Sequence, residues 1–286
     1  MAASEADCEA MLEASRQSDA KLMVAYRLHF EPGTVEMVER AHSGELGELK
    51  MFTSTFTQTV KPTNHRVKNG FDAGPVLDMG PYPLNKVRQL FGEEPIEVMA
   101  NGTTTPGSEL GTSDNVTVFL RFPKDRLAQF TLSYSLPSSE RFQLMGTKGE
   151  IEASPCFGFG EGVAITYRAT LDGETKEYSH PVVDQFAGET TYFSDCILNG
   201  QAPEPDAEEG WRDVRVLAAV KRSLETGMPQ KLESLAPKRS ITKAQRQQFA
   251  WQKLLTTSIP NLPLNDLGID RSCLAGGAVS EEPPNR

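Results

Sequence analysis

The sequence predicts an α+β fold: a mostly antiparallel, open β-sheet with helices on one face, preceded by a helix–strand remnant of a doubly wound domain. Three observations carry this. Between Leu46 and Val182 the chain reads as short segments rich in β-branched and aromatic residues, separated by polar turns, and adjacent strands of that kind pair antiparallel. Helical patterns interrupt or follow these segments, at Asp78–Gly92, Asp184–Leu198 and Glu209–Thr226, instead of alternating with them. Near the start, one helix and one apolar strand stand alone, where a complete α/β domain needs several βαβ units.

Taken in order, Ser4 is a suitable N-cap with Asp7 three residues on, and Ala6, Ala10, Met11 and Ala14 give the following helix an apolar side to about Ser18. Lys21–Tyr26 (KLMVAY) reads as a buried strand. Pro32 suits the first turn of a second helix, with Val35, Val38 and Ala41 on one side and Gly44 at its end. From Glu45 the period changes to two, and Leu46–Val60 reads as a long strand with one covered face. Lys61–Gly70 is a polar loop. Strands are expected at Ile96–Gly102, Asn115–Phe122, Leu127–Leu136, Glu140–Met145, Glu150–Ala153, Val163–Leu171 and Glu177–Val182, with Asp172-Gly173 as a hairpin turn. Phe157–Gly162 (FGFGEG) opens no helix and reads as a loop. Two helices close the body, ending at Asn199-Gly200 and Gly227, with Trp211 in the core. Thr242–Thr256 reads as one more helix, and the Pro- and Gly-rich end from Ser258 as disordered. The resulting division is 1–30, the remnant and joining segment; 31–235, the sheet-and-helix body; and 236–286, a helix and tail.

Charge narrows the function. The balance of 29 basic and 39 acidic residues gives −10 with no basic cluster, which argues against nucleic acid or an anionic membrane as partner. No apolar run approaches the ~20 residues that span a bilayer. Cys8, Cys156, Cys196 and Cys273 form no C-x-x-C, and free thiols in a reducing compartment are expected. The histidines His29, His42, His65 and His180 show no metal-ligand spacing, so no metal site is read.

The chemistry concentrates in Phe71–Gly92 (FDAGPVLDMGPYPLNKVRQLFG). Asp78 and Tyr82 stand at the interval that shares one helical face, and Asn85 follows. An acid, a phenol and an amide pointing together would suit a hydroxyl or carbonyl compound. Spacing alone equally allows Asp78 to be a cap and Tyr82 a half-buried core residue. Pro81 and Pro83 equally allow a short turn at Pro75–Gly80 followed by a helix beginning near Pro83.

The stretch AGPVLDMGPYPLN, followed by FGEEPIEV, resembles the start of the C-terminal domain in the glucose-fructose oxidoreductase/inositol dehydrogenase/MocA family, and Tyr26–Pro32 (YRLHFEP) resembles that family's domain-joining segment. The tyrosine variant is most similar to the glucose-fructose oxidoreductase branch, and the match runs with gaps from about Ser4 to about Leu232. The resemblance implies an NAD(P)-dependent oxidoreductase acting on a sugar or polyol. Tyr82 would be the proton donor and acceptor, with Asp78 orienting a substrate hydroxyl. Arg27 and Tyr26 would border NADP (or NAD), and Arg66 and Asn85 would contact substrate. It also implies a cytoplasmic homo-oligomer joined through the sheet face. Arg27 has a second reading as an ordinary ion pair at the domain joint, and Arg66 one as a solvated surface residue.

One departure from the family pattern matters chemically. In full-length relatives the segment before Ser4 would carry the nucleotide-binding Rossmann domain and a Glu-Lys-Pro motif whose lysine helps catalysis; neither is present here. A phenol of reference pKa ~10 is a poor base at neutral pH without a neighbouring cation. Lys86, on roughly the same side as Asp78 if the helix is unbroken, is a candidate substitute. Two alternatives follow: a non-catalytic paralogue serving as a dimerisation or sugar-binding module, or a chain whose reading frame continues upstream.

Overall fold

The computed structural model describes residues 1–18, 20–68, 74–238, 241–246 and 249–250. Helix α1 (Glu5–Ser18) and an extended arm lead to a 3₁₀ turn (Arg27–Phe30) and α2 (Pro32–Ser43). Strand β1 (Leu49–Thr59) is followed by a 3₁₀ turn (His65–Val67) and two short helices, α3 (Pro75–Asp78) and α4 (Pro81–Phe91). Seven strands come next: β2 (Glu97–Thr103), β3 (Asn115–Phe122), β4 (Arg126–Ser133), β5 (Ser135–Gly146), β6 (Gly149–Ala153), β7 (Thr166–Leu171) and β8 (Glu174–Ser179). Helices α5 (Gln185–Leu198) and α6 (Ala207–Thr226) and the short β9 (Gln230–Lys231) complete the body.

The nine strands form one mixed sheet in the order β8-β7-β6-β5-β1-β4-β3-β2-β9. This corrects the expectation of a mostly antiparallel sheet with a doubly wound remnant. β1, at the centre, runs parallel to β4, with Met51 opposite Leu127 and Thr57 opposite Ser133, and antiparallel to β5. The reason lies in the connection. Parallel neighbours need a long crossover, and the excursion through α3, α4, β2 and β3 supplies it before β4 returns beside β1 in the same direction. Hairpin signals between consecutive strands carry no trace of that pairing. One such signal is seen as read: Asp172 and Gly173 take φ of 50° and 84° in the β7–β8 turn.

The N-terminal segment is the second correction. Lys21–Tyr26 forms no strand of the sheet; it makes one isolated bridge, Met23 to Asp206, and one backbone bond from Val24 N–H to Pro205 O (3.1 Å). It lies beside the start of α6, against which α1 also packs. An apolar run without a neighbouring strand satisfies its backbone along a helix end instead. Of the expected helix Thr242–Thr256, the described residues hold a 3₁₀ turn, Lys243–Gln245; residues 251–256 and the tail from Ser258 lie outside them.

Period-two patterning decides which face is covered. Phe52, Val118, Leu120, Phe130, Leu132, Leu144 and Ile151 point inward and are buried, with Phe52 and Phe142 stacked at 5.5 Å. Helices α3, α4 and α6 pack on this face, and α2 packs on α4. The opposite face carries Met51, Met99, Phe119 and Leu127, all substantially exposed. Local caps set the helix starts: Glu31 accepts from Gly33 N (3.0 Å) and Thr34 N (2.5 Å) ahead of α2, and Asp206 accepts from Glu209 N (2.9 Å) ahead of α6.

Between α3 and α4 the chain breaks at Met79-Gly80, where a Cβ on Gly80 would lie 2.1 Å from Val76 O. α4 then starts with Pro81 in its first turn, so Asp78 and Tyr82 end one helix and begin the next. α4 is held to α6 by an ionic cluster. Arg88, 1% exposed, donates to both oxygens of Glu94 (2.8 and 2.9 Å), to Glu209 (3.0 Å) and to Asp213. Arg212 also donates to Glu94 (2.9 Å), and Gln89 to Glu209 (2.8 Å). Burial, with Glu209 nearby, lifts Asp213 to about 6 against the pull of Arg88.

Two predictions follow from this packing. Arg88→Met leaves three buried carboxylates with one remaining guanidinium, and urea denaturation is expected to show a loss of about 3–5 kcal/mol; a loss below about 1 kcal/mol contradicts the cluster's role. On α5, Glu189 is 9% exposed with Oε2 unbonded, and burial raises it from 4.5 to about 7 although Arg27 opposes this. The native state therefore keeps a proton that the unfolded chain releases near 4.5, so this group lowers stability as pH rises from 4.5 through 7. Glu189→Gln is expected to melt above the wild type at pH 8 and together with it near pH 4.5; a gap independent of pH contradicts the assignment.

Candidate active site

The six residues singled out in the sequence, Tyr26, Arg27, Arg66, Asp78, Tyr82 and Asn85, all line one cavity of about 360 Å³. Its walls come from the 3₁₀ turns Arg27–Phe30 and His65–Val67, the end of α3, the start of α4, and Phe159 and Phe186. Larger depressions of about 650 Å³ over the open sheet face and about 680 Å³ beside α2 include none of these six. Aromatic walls with convergent polar groups are what a small-molecule site requires, and they meet in the smaller cavity.

Asp78 is fixed from two sides. Its Oδ2 accepts from Arg66 Nε (3.1 Å) and from the Tyr134 hydroxyl (2.8 Å), and among the described residues Oδ1 has no donor. Burial and the Asp78 charge push Tyr134 well above the ordinary phenol range, so it stays a donor. Tyr134, at the β4–β5 junction, was not legible as a site residue; an aromatic between two strands reads as core. Tyr82 packs edge-on against Phe56 (5.4 Å) and beside Phe157 (5.8 Å). Its ring lies 5.1 Å from the Arg27 guanidinium, and its hydroxyl has no hydrogen-bond partner among the described residues.

The other three side chains are spent inside the protein. Arg27 donates to Phe157 O, to Gly158 O (3.4 Å) and to Gln185 Oε1, pinning the FGFGEG loop to α5, and its guanidinium sits 4.5 Å from the Phe159 ring. Tyr26 donates to Asp213 (2.5 Å), where burial and that carboxylate hold its phenol far above its usual value. Asn85 donates to Glu209 (2.8 Å) and Asp213 (3.2 Å) and is bonded to His29 Nε2 through Oδ1 (2.7 Å). The amide's orientation makes His29 Nε2 the donor, and burial lowers this imidazole to about 4, so it is neutral. These residues shape the wall and hold it to the Arg88 cluster.

One feature escaped the sequence reading, the aromatic rim at Phe159, and Lys86, the candidate substitute cation, joins it in the cavity wall. Phe159, between glycines in the loop, meets Phe186 edge-on at 5.1 Å and forms an aromatic rim on the cavity. Lys86 is 3% exposed, lines the cavity, and donates to Thr34 Oγ1 (2.9 Å); burial lowers it to about 8. Among the described residues no cluster of His, Cys, Asp and Glu could hold a metal ion, and no helix is long and apolar enough to cross a membrane.

Known proteins share this arrangement of chain. The GFO/IDH/MocA C-terminal domain model matches residues 34–152. The chain is 30% identical to the aldose-aldose oxidoreductase of Caulobacter crescentus, solved in complex with glycerol; the two superpose with a TM-score of 0.75 over 81% of this chain and 70% of that one. It is 28% identical to the NADP(+) D-xylose 1-dehydrogenase of Haloarcula marismortui over 76% of this chain and 62% of that protein. It is 24% identical to the myo-inositol 2-dehydrogenase of Thermotoga maritima over 80% of this chain and 70% of that protein. The chain thus spans roughly two thirds of the length of these relatives. With this similarity across the mixed sheet and its helices, the chain belongs to the glucose-fructose oxidoreductase/inositol dehydrogenase/MocA family.

Proposed function

We propose that this chain carries the substrate side of an NAD(P)-dependent oxidoreductase that interconverts a sugar or polyol C–OH and the corresponding C=O. The observation that carries the reading is the Tyr82 hydroxyl, unpartnered among the described residues, in one cavity with an Asp78 whose carboxylate is already oriented by Arg66 and Tyr134. Relatives acting on xylose, inositol and aldoses support the substrate class.

When bound, the cofactor accepts or returns the hydride. The chain's own part is the proton and the pose. Tyr82 takes the proton from the hydroxyl oxygen as its carbon loses hydride, and returns it in the reverse direction. The phenolate that takes the proton, formed again when Tyr82 gives it back in the reverse direction, lies beside the Arg27 guanidinium, 5.1 Å from the ring. Asp78 Oδ1 accepts from a second substrate hydroxyl, and Arg66, which is half-buried, retains donors for a third oxygen. The flat aromatic walls, bordered by Tyr26 and Arg27, fit the nicotinamide end of the cofactor. Among the described residues no βαβ unit with a glycine-rich turn offers a seat for its pyrophosphate.

The remaining assignments rest on surface and thiols. The open sheet face places Met51 opposite Leu127 and Met99 opposite Phe119, all exposed, and we assign homo-oligomerisation to this face. Buried free Cys8, Cys156 and Cys196 suit a reducing cytoplasm.

Reduction of NAD(P) by aldoses and polyols, measured with this chain alone and with a family nucleotide-binding domain fused upstream, tests the proposal. Tyr82→Phe is expected to lower kcat by about 10²–10⁴-fold with little change in KM, and Asp78→Asn to raise KM as well. An unchanged kcat in Tyr82→Phe, or no turnover in either form, overturns the reading.

A further inference from the structure

The cavity holds more positive charge than the protein itself answers. Among its lining residues Arg27, Arg66 and Lys86 are cationic and Asp78 alone is acidic, in a chain whose net charge is −10. Arg66 and Asp78 pair with each other. Arg27 and Lys86 remain, 6% and 3% exposed. Arg27 gives its hydrogen bonds to two carbonyls and an amide, and Lys86 gives its one to a hydroxyl. Among the described residues neither has a carboxylate at ion-pair distance.

The acids nearest to them are committed elsewhere. Glu31, which acts on Lys86 electrostatically, spends its carboxylate capping α2. Glu140 accepts from Phe157 N–H (2.6 Å), and burial raises both it and Glu189 in spite of Arg27. The contrast is with Arg88, equally buried and met by three carboxylates. Burying a cation without a counter-charge is costly, and the cost is recovered when a ligand brings the anion. Donors are left for it: Arg27 uses three of its five N–H groups and Lys86 one of its three.

We propose that the cavity takes an anionic sugar, a sugar acid or sugar phosphate, whose oxyanion is met by Lys86 and Arg27 while a ring hydroxyl reaches Tyr82. This rests on the oxidoreductase reading and names its substrate class. Burial holds Lys86 at about 8, so the ammonium that receives the anion is present at neutral pH and lost above that value. Affinity for an anion is therefore expected to fall as pH rises through 8, while affinity for a neutral sugar stays flat.

Calorimetric titration with D-glucose, D-glucuronate, D-glucose 6-phosphate, inorganic phosphate and NADP, on the wild type, Lys86→Met and Lys86→Arg, tests this. At pH 7 one of the anionic sugars is expected to bind at least tenfold more tightly than glucose. Lys86→Met should abolish that preference and Lys86→Arg retain most of it. Tyr82→Phe should keep the preference while losing turnover, which separates this proposal from the catalytic one. Should Lys86→Met not fold, the pH dependence of the wild type decides alone. Equal affinity for neutral and anionic sugars overturns the proposal and leaves the oxidoreductase reading standing. Lys86-dependent binding of inorganic phosphate or NADP without any preference for the anionic sugars assigns the oxyanion to the cofactor and overturns it too. No binding of any sugar, with no turnover, removes both.

Discussion

Arg88 sits where α4, α6 and the turn after α4 converge, and its guanidinium bonds three carboxylates out of reach of water. A guanidinium is a rigid fork with fixed donor directions, so satisfying it dictates where Glu94, Glu209 and Asp213 must lie. The consequence reaches the cavity in two steps. Glu209 and Asp213 hold the Asn85 amide, and Asn85 holds His29; Asp213 also holds Tyr26. The 3₁₀ turn that carries Tyr26, Arg27 and His29 to the cavity is thus tied to α4 through α6. A cluster of this kind gains little net stability over apolar packing, since desolvation offsets much of its Coulombic attraction. Its effect is on placement.

Arg27 extends the same logic to the rim. Bonded to Phe157 O, Gly158 O and Gln185, it helps fix a glycine-containing loop that Glu140 also holds through Phe157 N–H (2.6 Å), and that loop presents Phe159 to the cavity. Asp78 is arranged independently, from β4–β5 through Tyr134 and from the loop after β1 through Arg66. Tyr82 receives no such hydrogen bond; only its ring is packed, by Phe56 and Phe157. A wall held by internal hydrogen bonds around a phenol that has none among the described residues is the pattern expected where a ligand completes the hydrogen bonding.

Much of this was readable in advance, and the failures have identifiable causes. Closing glycines marked the ends of α2, α4 and α6, and Pro32 the start of α2, because the orphan groups at helix ends constrain which residues sit there. Asp172-Gly173 marked its hairpin because a primed turn needs positive φ. The parallel β1–β4 pair was invisible, since a strand's sequence records which face is buried and not the direction of a partner some seventy residues away. Lys21–Tyr26 misled because an apolar extended run satisfies a strand template equally well when it lies along a helix. Within the site, all six residues converge on the cavity, yet three of them are bonded inward. Periodicity reports a shared face; it does not report which atoms are already committed. Tyr134 and the Arg88 cluster depend on contacts between residues distant in sequence, for which one chain offers no local signal.

The account reduces to one spatial claim, that substrate sits with a hydroxyl on Tyr82 and another on Asp78. A crystal structure of the protein with NADP and a bound sugar tests it most directly. The expected result is a ligand oxygen within about 3.2 Å of the Tyr82 hydroxyl and a second one at hydrogen-bond distance from Asp78 Oδ1. A sugar seated instead in the depression over the open sheet face, with the Tyr82 hydroxyl untouched, would contradict it.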